Sequence, residues 1–151
     1  MGCDAGSVAQ HLSVLTLGVA DVARARSFYV DGLGWQVAWE GDGVVFVHLG
    51  HGQLLALWGA ADLAADTGLE LAPGSGSVAL AKNVGTADEV DVLVGLAVEA
   101  GATVVVRPRA AGFGGYHAYL RDPDGVLWEI AHNPGFSVGP DGRARIEDVR
   151  W

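Results

Sequence analysis

The chain has 151 residues, of which half are hydrophobic, and carries a formal net charge of −9 at pH 7; this length and composition are typical of one globular domain. No apolar run approaches the roughly 20 residues that a membrane-spanning helix needs, and nine basic residues against 18 acidic ones argue against a nucleic-acid partner. Cys3 is the only cysteine, so no disulfide can form within the chain, as is usual in the cytoplasm.

The first segment with a regular pattern, about residues 11–59, follows a flexible N-terminus predicted for residues 1–10. Asp21 is a typical N-cap for a helix, and the short glycine turns around Asp42 and His51 favour hairpins. The predicted elements are strands over 12–19, 35–40, 44–49 and 53–58 and a helix over 22–30. The plan of this module is therefore βαβββ.

The same plan is predicted again after a linker over residues 60–76. Thr86 and Glu89 form a capping box at the start of a helix that Gly101 ends. The predicted elements of this second module, 77–132, are strands over 77–84, 103–107, 115–121 and 126–132 and a helix over 87–100. Residues 133–151 are predicted to form a C-terminal tail or hairpin.

Helices placed among strands that are joined by hairpins predict an α+β fold with two mixed sheets. Each helix would cover the convex face of its sheet, and two concave faces, from one chain or from the two chains of a dimer, would enclose a cup. The side chains expected to face the cup are Val14, Thr16, Ser77 and Ala79, and those expected on the helical side are Leu15, Leu17, Val78 and Leu80.

The segment Asp122-Pro123-Asp124-Gly125 predicts a tight turn that leads into the last strand of the second module. Because side chains alternate along a strand, Leu127, Glu129 and Ala131 share one face. Glutamate is seldom buried without a partner. If its face is concave, Glu129 lies in a pocket and is a candidate for ligand binding.

These features together resemble the vicinal oxygen chelate superfamily, which includes glyoxalase I, extradiol dioxygenases, fosfomycin resistance proteins and bleomycin-binding proteins. The resemblance covers about residues 12–135 and extends to an uncharacterised glyoxalase-like bacterial branch that ends in Trp-Glu-x-Ala-x-Asn-Pro, here residues 128–134. The matching motifs are Gly18-Val19-Ala20-Asp21, Ser27-Phe28-Tyr29, Gly32-Leu33-Gly34-Trp35, Tyr119-Leu120-Arg121-Asp122-Pro123-Asp124-Gly125 and Trp128-Glu129. The resemblance also implies a homodimer.

Metal-dependent members of this superfamily hold a divalent ion with side chains from the first and last strands of each module. The resemblance places these positions at Val14, Ser77, Glu129 and near Ala56. Only Glu129 carries a good ligand, whereas transition-metal sites usually need three or four His or carboxylate groups. We therefore expect neither a metal site of this type nor a cofactor, although a displaced site of His48, His117 and Glu129 remains open.

The function that these patterns favour is the binding of a small organic ligand in the cup. The residues expected to contact this ligand are Glu129, His48, Trp58, Tyr116 and His117. An enzyme remains the alternative, either a lyase or dioxygenase with a displaced metal site or a catalyst that uses Glu129 as general base. A third alternative is a protein that keeps this fold but whose cup is filled with side chains, so that its role is interaction and not the binding of a small ligand.

Overall fold

The structure is a computed structural model and describes residues 11–147. It contains two four-stranded mixed sheets and one two-stranded hairpin. The strands are β1 (Val14–Val19), β2 (Val37–Gly41), β3 (Val44–Gly50), β4 (Gln53–Gly59), β5 (Ala79–Asn83), β6 (Thr103–Ala110), β7 (Tyr116–Arg121), β8 (Leu127–His132), β9 (Phe136–Val138) and β10 (Ala144–Ile146). The α-helices are α1 (Val22–Arg26), α2 (Ala60–Thr67) and α3 (Ala87–Ala100), and α1 continues as a π-helical turn over Ser27–Gly32.

The first sheet has the strand order β1-β4-β3-β2, with β1 parallel to β4 and the other pairs antiparallel. Asp21 caps α1 by accepting a hydrogen bond from the Arg24 N–H. Asp42 and Gly43 both have positive φ angles of 49° and 79°, which is the conformation of a type I′ hairpin turn between β2 and β3. Thr16 lies beside Ala56 in the register of β1 and β4.

The second sheet repeats this topology in the order β5-β8-β7-β6. Ala81 lies beside Glu129 in the parallel pair of β5 and β8. The predicted capping box of Thr86 and Glu89 is present at the start of α3, and Gly101 ends this helix in the left-handed conformation. The two modules therefore confirm the predicted α+β fold of βαβββ repeats.

Several predicted boundaries differ from the structure. The predicted helix over 22–30 is α-helical only to Arg26 and then widens into the π-helical turn. Strand β5 begins at Ala79, so Ser77 and Val78 precede it and take no part in the alternation of the sheet. Strand β6 runs beyond Arg107 to Ala110, because it is an edge strand and tolerates Pro108.

Other differences fall at the linker and the two ends of the chain. The linker contains the eight-residue helix α2 rather than one turn. The tail forms the hairpin of β9 and β10 up to Ile146. Residues 1–10 and 148–151 lie outside the described residues, and with them the predicted flexible N-terminus. Among the described helices, none is long and apolar enough to cross a membrane.

The two modules pack against each other on their helical sides. The π-helical turn contacts α3, and Gly32 approaches this helix so closely that an added Cβ would lie 2.3 Å from the Cβ of Ala100. Trp128 packs against the hydrophobic clusters of both modules. The buried Tyr29 hydroxyl donates to Asp122 Oδ2 at 2.6 Å and accepts from Trp128 Nε1 at 3.1 Å. Apolar packing and this hydrogen-bond chain together join the modules.

On each sheet, the face opposite to the helices is open in the single chain. Thr16 lies on this face of the first sheet, and Glu129 lies on this face of the second. On the first strands of the two modules, Val14, Thr16, Ala79 and Ala81 are all exposed on these faces. Leu15 and Leu17 pack against the first hydrophobic cluster, as expected for the helical side. Each module therefore presents a face that its own helices do not cover.

Candidate functional site

A tight turn fixes the start of β8 and so the position of Glu129. Asp122 Oδ1 accepts the backbone N–H groups of Asp124 at 2.9 Å and Val126 at 2.8 Å. Gly125 has a φ of 85°, a conformation that glycine adopts without strain. Asp122 itself is buried, which raises the pKa of its carboxyl above the ordinary value, although the hydrogen bond from Tyr29 opposes the rise.

Glu129 forms a polar cluster with two side chains of the neighbouring strand β7. In the antiparallel register, Tyr119 lies directly opposite Glu129, and His117 lies diagonally across from it on the same face. His117 Nδ1 is 3.0 Å from Glu129 Oε1. The side chains of His117 and Glu129 are 14% and 23% exposed, so both can reach a ligand. We call this surface, with the cluster and its neighbours, the Glu129 face.

The hydrogen bond to Glu129 orients the His117 ring. A neutral imidazole that donates through Nδ1 to the carboxylate leaves Nε2 as an acceptor. The Phe113 ring packs edge-on against His117 at a centroid distance of 5.5 Å, and the Tyr119 ring lies at 5.3 Å on another side. Aromatic contacts and a carboxylate together hold the imidazole in one position.

The Tyr119 hydroxyl adds a second polar group to the cluster. Partial burial raises the pKa of this phenol, and the nearby negative charge of Glu129 raises the pKa further. The phenol therefore stays protonated at neutral pH and can donate a hydrogen bond. A hydrogen bond between the phenol and Glu129 is a further cause of the raised pKa, so the two groups form a donor and an acceptor side by side.

Small side chains surround this cluster on the adjoining strands. Ala81 lies beside Glu129 on β5, Ala79 is the next residue on the same face, and Ala131 lies two positions further along β8. None of these alanines reaches over the carboxylate, because a methyl group is too short. The Glu129 face therefore has a floor of alanines, of which Ala79 and Ala81 are exposed and Ala131 is buried, with a polar cluster at one side.

The structure brings together some of the predicted ligand contacts but not all. Glu129 and His117 are joined by a hydrogen bond. Tyr116 faces the helical side, where its hydroxyl donates to Asp91 of α3 at 3.0 Å, because it alternates with His117 along β7. Trp58 and His48 lie in the first module, on the same face of its sheet as Ala56.

Sequence reasoning missed Tyr119 and Phe113 as members of the cluster. The signal for Tyr119 was available, because it lies two residues after His117 on a predicted strand and so shares its face. Phe113 lies in the loop before β7, and nothing in the strand pattern indicates where that loop folds.

The donor atoms in this region do not fit a transition-metal site of the superfamily type. Among residues 11–147, no three His, Cys, Asp or Glu side chains are grouped so that they could hold an ion. The neighbours of Ala56 and Glu129 across the parallel strand pairs are Thr16 and Ala81, which contribute no imidazole or carboxylate. The Glu129 face offers one carboxylate and one imidazole, fewer than the three or four strong ligands usual for such ions.

The fold and this face define a glyoxalase-like protein built from two βαβββ modules. Residues 10–130 match the family model described as the glyoxalase/bleomycin resistance protein/dioxygenase superfamily. The chain belongs to this superfamily, which confirms the resemblance that the sequence motifs indicate.

Comparison with solved structures agrees with this assignment. The chain is 35% identical to a glyoxalase-related enzyme from Fulvimarina pelagi, with a TM-score of 0.86 over 93% of this chain and 100% of that chain. Similar folds occur in a glyoxalase/bleomycin resistance protein/dioxygenase family enzyme from Burkholderia phytofirmans PsJN, at 22% identity with a TM-score of 0.67 over 80% of this chain and 96% of that one. A lactoylglutathione lyase from Agrobacterium tumefaciens shares 22% identity with a TM-score of 0.63 over 83% and 96%. None of the curated protein sequences compared with the chain matches it.

Proposed function

We propose that the chain binds a small organic molecule on the Glu129 face and that it does so without a metal ion. The pairing of His117 with Glu129 on an open sheet face carries this proposal. A carboxylate whose side chain is only 23% exposed has a desolvation cost, and a ligand that donates hydrogen bonds to it offsets that cost.

The chemistry of the face favours a ligand with a cationic or hydrogen-bond-donating group next to an apolar ring or chain. Glu129 Oε1 is engaged by His117, so Oε2 is the atom for the donor group of the ligand. The alanine floor leaves room for a flat apolar part, and the Phe113 ring offers an aromatic edge. The net charge of −9 favours the approach of a cation.

We propose that the second wall of the cup comes from another copy of the chain, so that the protein is a homodimer. We place this homodimer in the cytoplasm of a bacterium. The open face of the first sheet carries an aromatic group, with the Trp39 and Phe46 rings 6.1 Å apart and Trp39 52% exposed. Trp58 lies beside Val44 on the same face. Packing this apolar surface against the Glu129 face of a partner would bury both and enclose the ligand.

Binding can be tested with benzamidine, a flat cation that matches the proposed ligand chemistry. We expect thermal stabilisation and saturable binding with the unmodified chain and at least a tenfold weaker affinity in Glu129→Gln. Tyr116→Phe is the matched control, because this residue lies on the other side of the same sheet and should bind like the unmodified chain. Equal affinity of Glu129→Gln and the unmodified chain would refute the proposal.

Metal independence has its own test on protein purified without added metal. Binding of benzamidine should be the same before and after dialysis against a chelator. Near-stoichiometric Mn, Fe, Ni or Zn by elemental analysis, lost together with binding on chelation, would instead support a displaced metal site. Mass spectrometry of the protein as isolated, under native conditions, would identify a molecule that it retains from the cell.

The orientation of His117 supports one alternative, a metal-independent catalyst of proton transfer. With Nδ1 held by Glu129, Nε2 is the ring atom that can act as a general base, a role that the sequence pattern leaves as an alternative for Glu129. The assay is deuterium exchange of hydroxyacetone in D₂O followed by proton NMR. Exchange above the buffer rate that disappears in His117→Asn would favour the catalyst, and no protein-dependent exchange would favour the binding protein.

A further inference from the structure

An apolar cavity of about 90 Å³ lies between the two modules, on the side of β8 opposite to Glu129. Its walls come from the π-helical turn, α3 and the second sheet, and the apolar side chains that form them include Phe28, Leu33, Leu93, Ala97, Leu120 and Ile130. The polar side chains that line it include Asp122 and Trp128, which are both already hydrogen-bonded to Tyr29, and Lys82. The cavity therefore suits an apolar group and offers little to a polar one.

A larger groove of about 680 Å³ adjoins this cavity. Trp35, Lys82 and Trp128 line both spaces, so the cavity opens beside these residues. The polar side chains of the groove are Gln36, His48, Gln53, Lys82 and Asn83. None of the described residues that line it is acidic, in a chain that has 18 Asp and Glu residues.

Lys82 lies where the apolar cavity meets the polar groove. It is the only lysine of the chain and is exposed. Within residues 11–147 the ion pairs involve other cations, and Lys82 has no carboxylate partner. An ammonium without an ion-pair partner among residues 11–147, in a groove whose described lining has no carboxylate, is a local exception to the acidic character of the protein.

We propose that the cavity and groove form a second binding site, for a small amphipathic carboxylate. The apolar tail of this ligand fills the cavity, and its carboxylate pairs with Lys82 in the groove. The cavity lies on the other side of the second sheet from Glu129, because Trp128 and Ile130 alternate with Glu129 along β8. The groove also includes Ala79 and Ala81 at the edge of the Glu129 face. The second site differs from the Glu129 face in the charge that it selects.

A series of straight-chain carboxylates tests the role of the cavity in the unmodified protein. Binding of butanoate, pentanoate, hexanoate and octanoate is followed by NMR of the methyl groups of Leu93 and Ile130, which line the cavity. Each added methylene should tighten binding roughly fourfold until the cavity is full. Affinity that does not change with chain length, or shifts confined to residues outside the cavity, would overturn the proposal.

The role of Lys82 is tested by comparing hexanoate with hexan-1-ol, which has the same tail and no charge. The unmodified protein should bind hexanoate at least fivefold more tightly than the alcohol, and Lys82→Gln should remove this preference without weakening the alcohol. Arg107→Gln is the control, because it removes one positive charge from an exposed position of β6 and should preserve the preference. Equal binding of the two molecules by the unmodified protein, or an unchanged preference in Lys82→Gln, would refute the assignment.

Discussion

Removal of the Tyr29 hydroxyl is expected to weaken the contact between the modules. The Tyr29 side chain is fully buried and links residues of the second module, because it donates to Asp122 and accepts from Trp128. Tyr29→Phe keeps the ring and its packing against Phe28 and Trp35. The substitution therefore isolates two hydrogen bonds from the hydrophobic contacts around them.

The expected loss of stability follows from the hydrogen bonds that Asp122 and Trp128 lose in this variant. A hydrogen bond to a charged group contributes about 1.5–3 kcal/mol, and a buried donor without a partner costs about 1–3 kcal/mol. The Trp128 N–H is only partly buried, so its share lies at the low end of this range. We expect Tyr29→Phe to lower the free energy of unfolding by about 2–4 kcal/mol at neutral pH, a large part of a typical total of about 5–15 kcal/mol.

The loss should also depend on pH through Asp122. Burial raises the pKa of this carboxyl above 3.8, and the Tyr29 hydrogen bond lowers it; the variant should therefore have a still higher folded-state pKa. An acid with a raised pKa stabilises the folded state at low pH, and this contribution disappears as the pH rises through the folded-state value. Tyr29→Phe should consequently cost more at about pH 7 than at about pH 4.

Urea unfolding followed by tryptophan fluorescence at the two pH values measures both effects. Tyr116→Phe is the matched control, because its phenol is on the surface and its loss should leave the free energy of unfolding nearly unchanged. A cost for Tyr29→Phe no larger than that of the control, or the same cost at both pH values, would refute the reasoning.

Three further substitutions have expected outcomes in the same unfolding assay. Asp122→Asn should remove the pH dependence that this carboxyl contributes to the free energy of unfolding. The unmodified chain should therefore lose stability relative to the variant as the pH rises from about 4 to about 7, and a constant difference between the two proteins would contradict the raised pKa of Asp122. Gly32→Ala should destabilise by about 1–3 kcal/mol through overpacking, because the new methyl group would overlap Ala100, and an unchanged midpoint would contradict this close contact. Thr86→Ala should cost about 1 kcal/mol by loss of the helix cap, and Thr86→Ser, which keeps the hydroxyl, should restore most of it.

The repeated fold was predictable because its signals are local. The Asp21 cap, the Thr86 capping box and the hairpin turns at Asp42 and His51 each depend on residues close in sequence. Two copies of the same order of elements then restrict the topology to two similar sheets. The α+β fold therefore followed from the pattern alone.

The features that join distant segments were not predictable in the same way. Tyr29 and Asp122 are 93 positions apart, and no periodic pattern indicates that they meet. The π-helical turn at Ser27–Gly32 lies largely within the segment predicted as an α-helix, and none of the cap or turn signals used in the prediction indicates it. The direction of the Tyr116 side chain, in contrast, was predictable. Alternation along the strand places Tyr116 and His117 on opposite faces, and the prediction of both as ligand contacts did not take this alternation into account.

The two modules provide an internal comparison between two open sheet faces that carry different side chains on the same scaffold. Glu129 lies beside Ala81 in the second sheet, whereas Ala56 lies beside Thr16 at the matching place in the first. Both sheets nevertheless have the same strand order. Because the residues that bury the helical side alternate with those on the open side, a donor atom on the open face can be gained or lost without changing the packing beneath it. The polar groups that this scaffold presents are therefore set by a few side chains on each face and not by the fold itself.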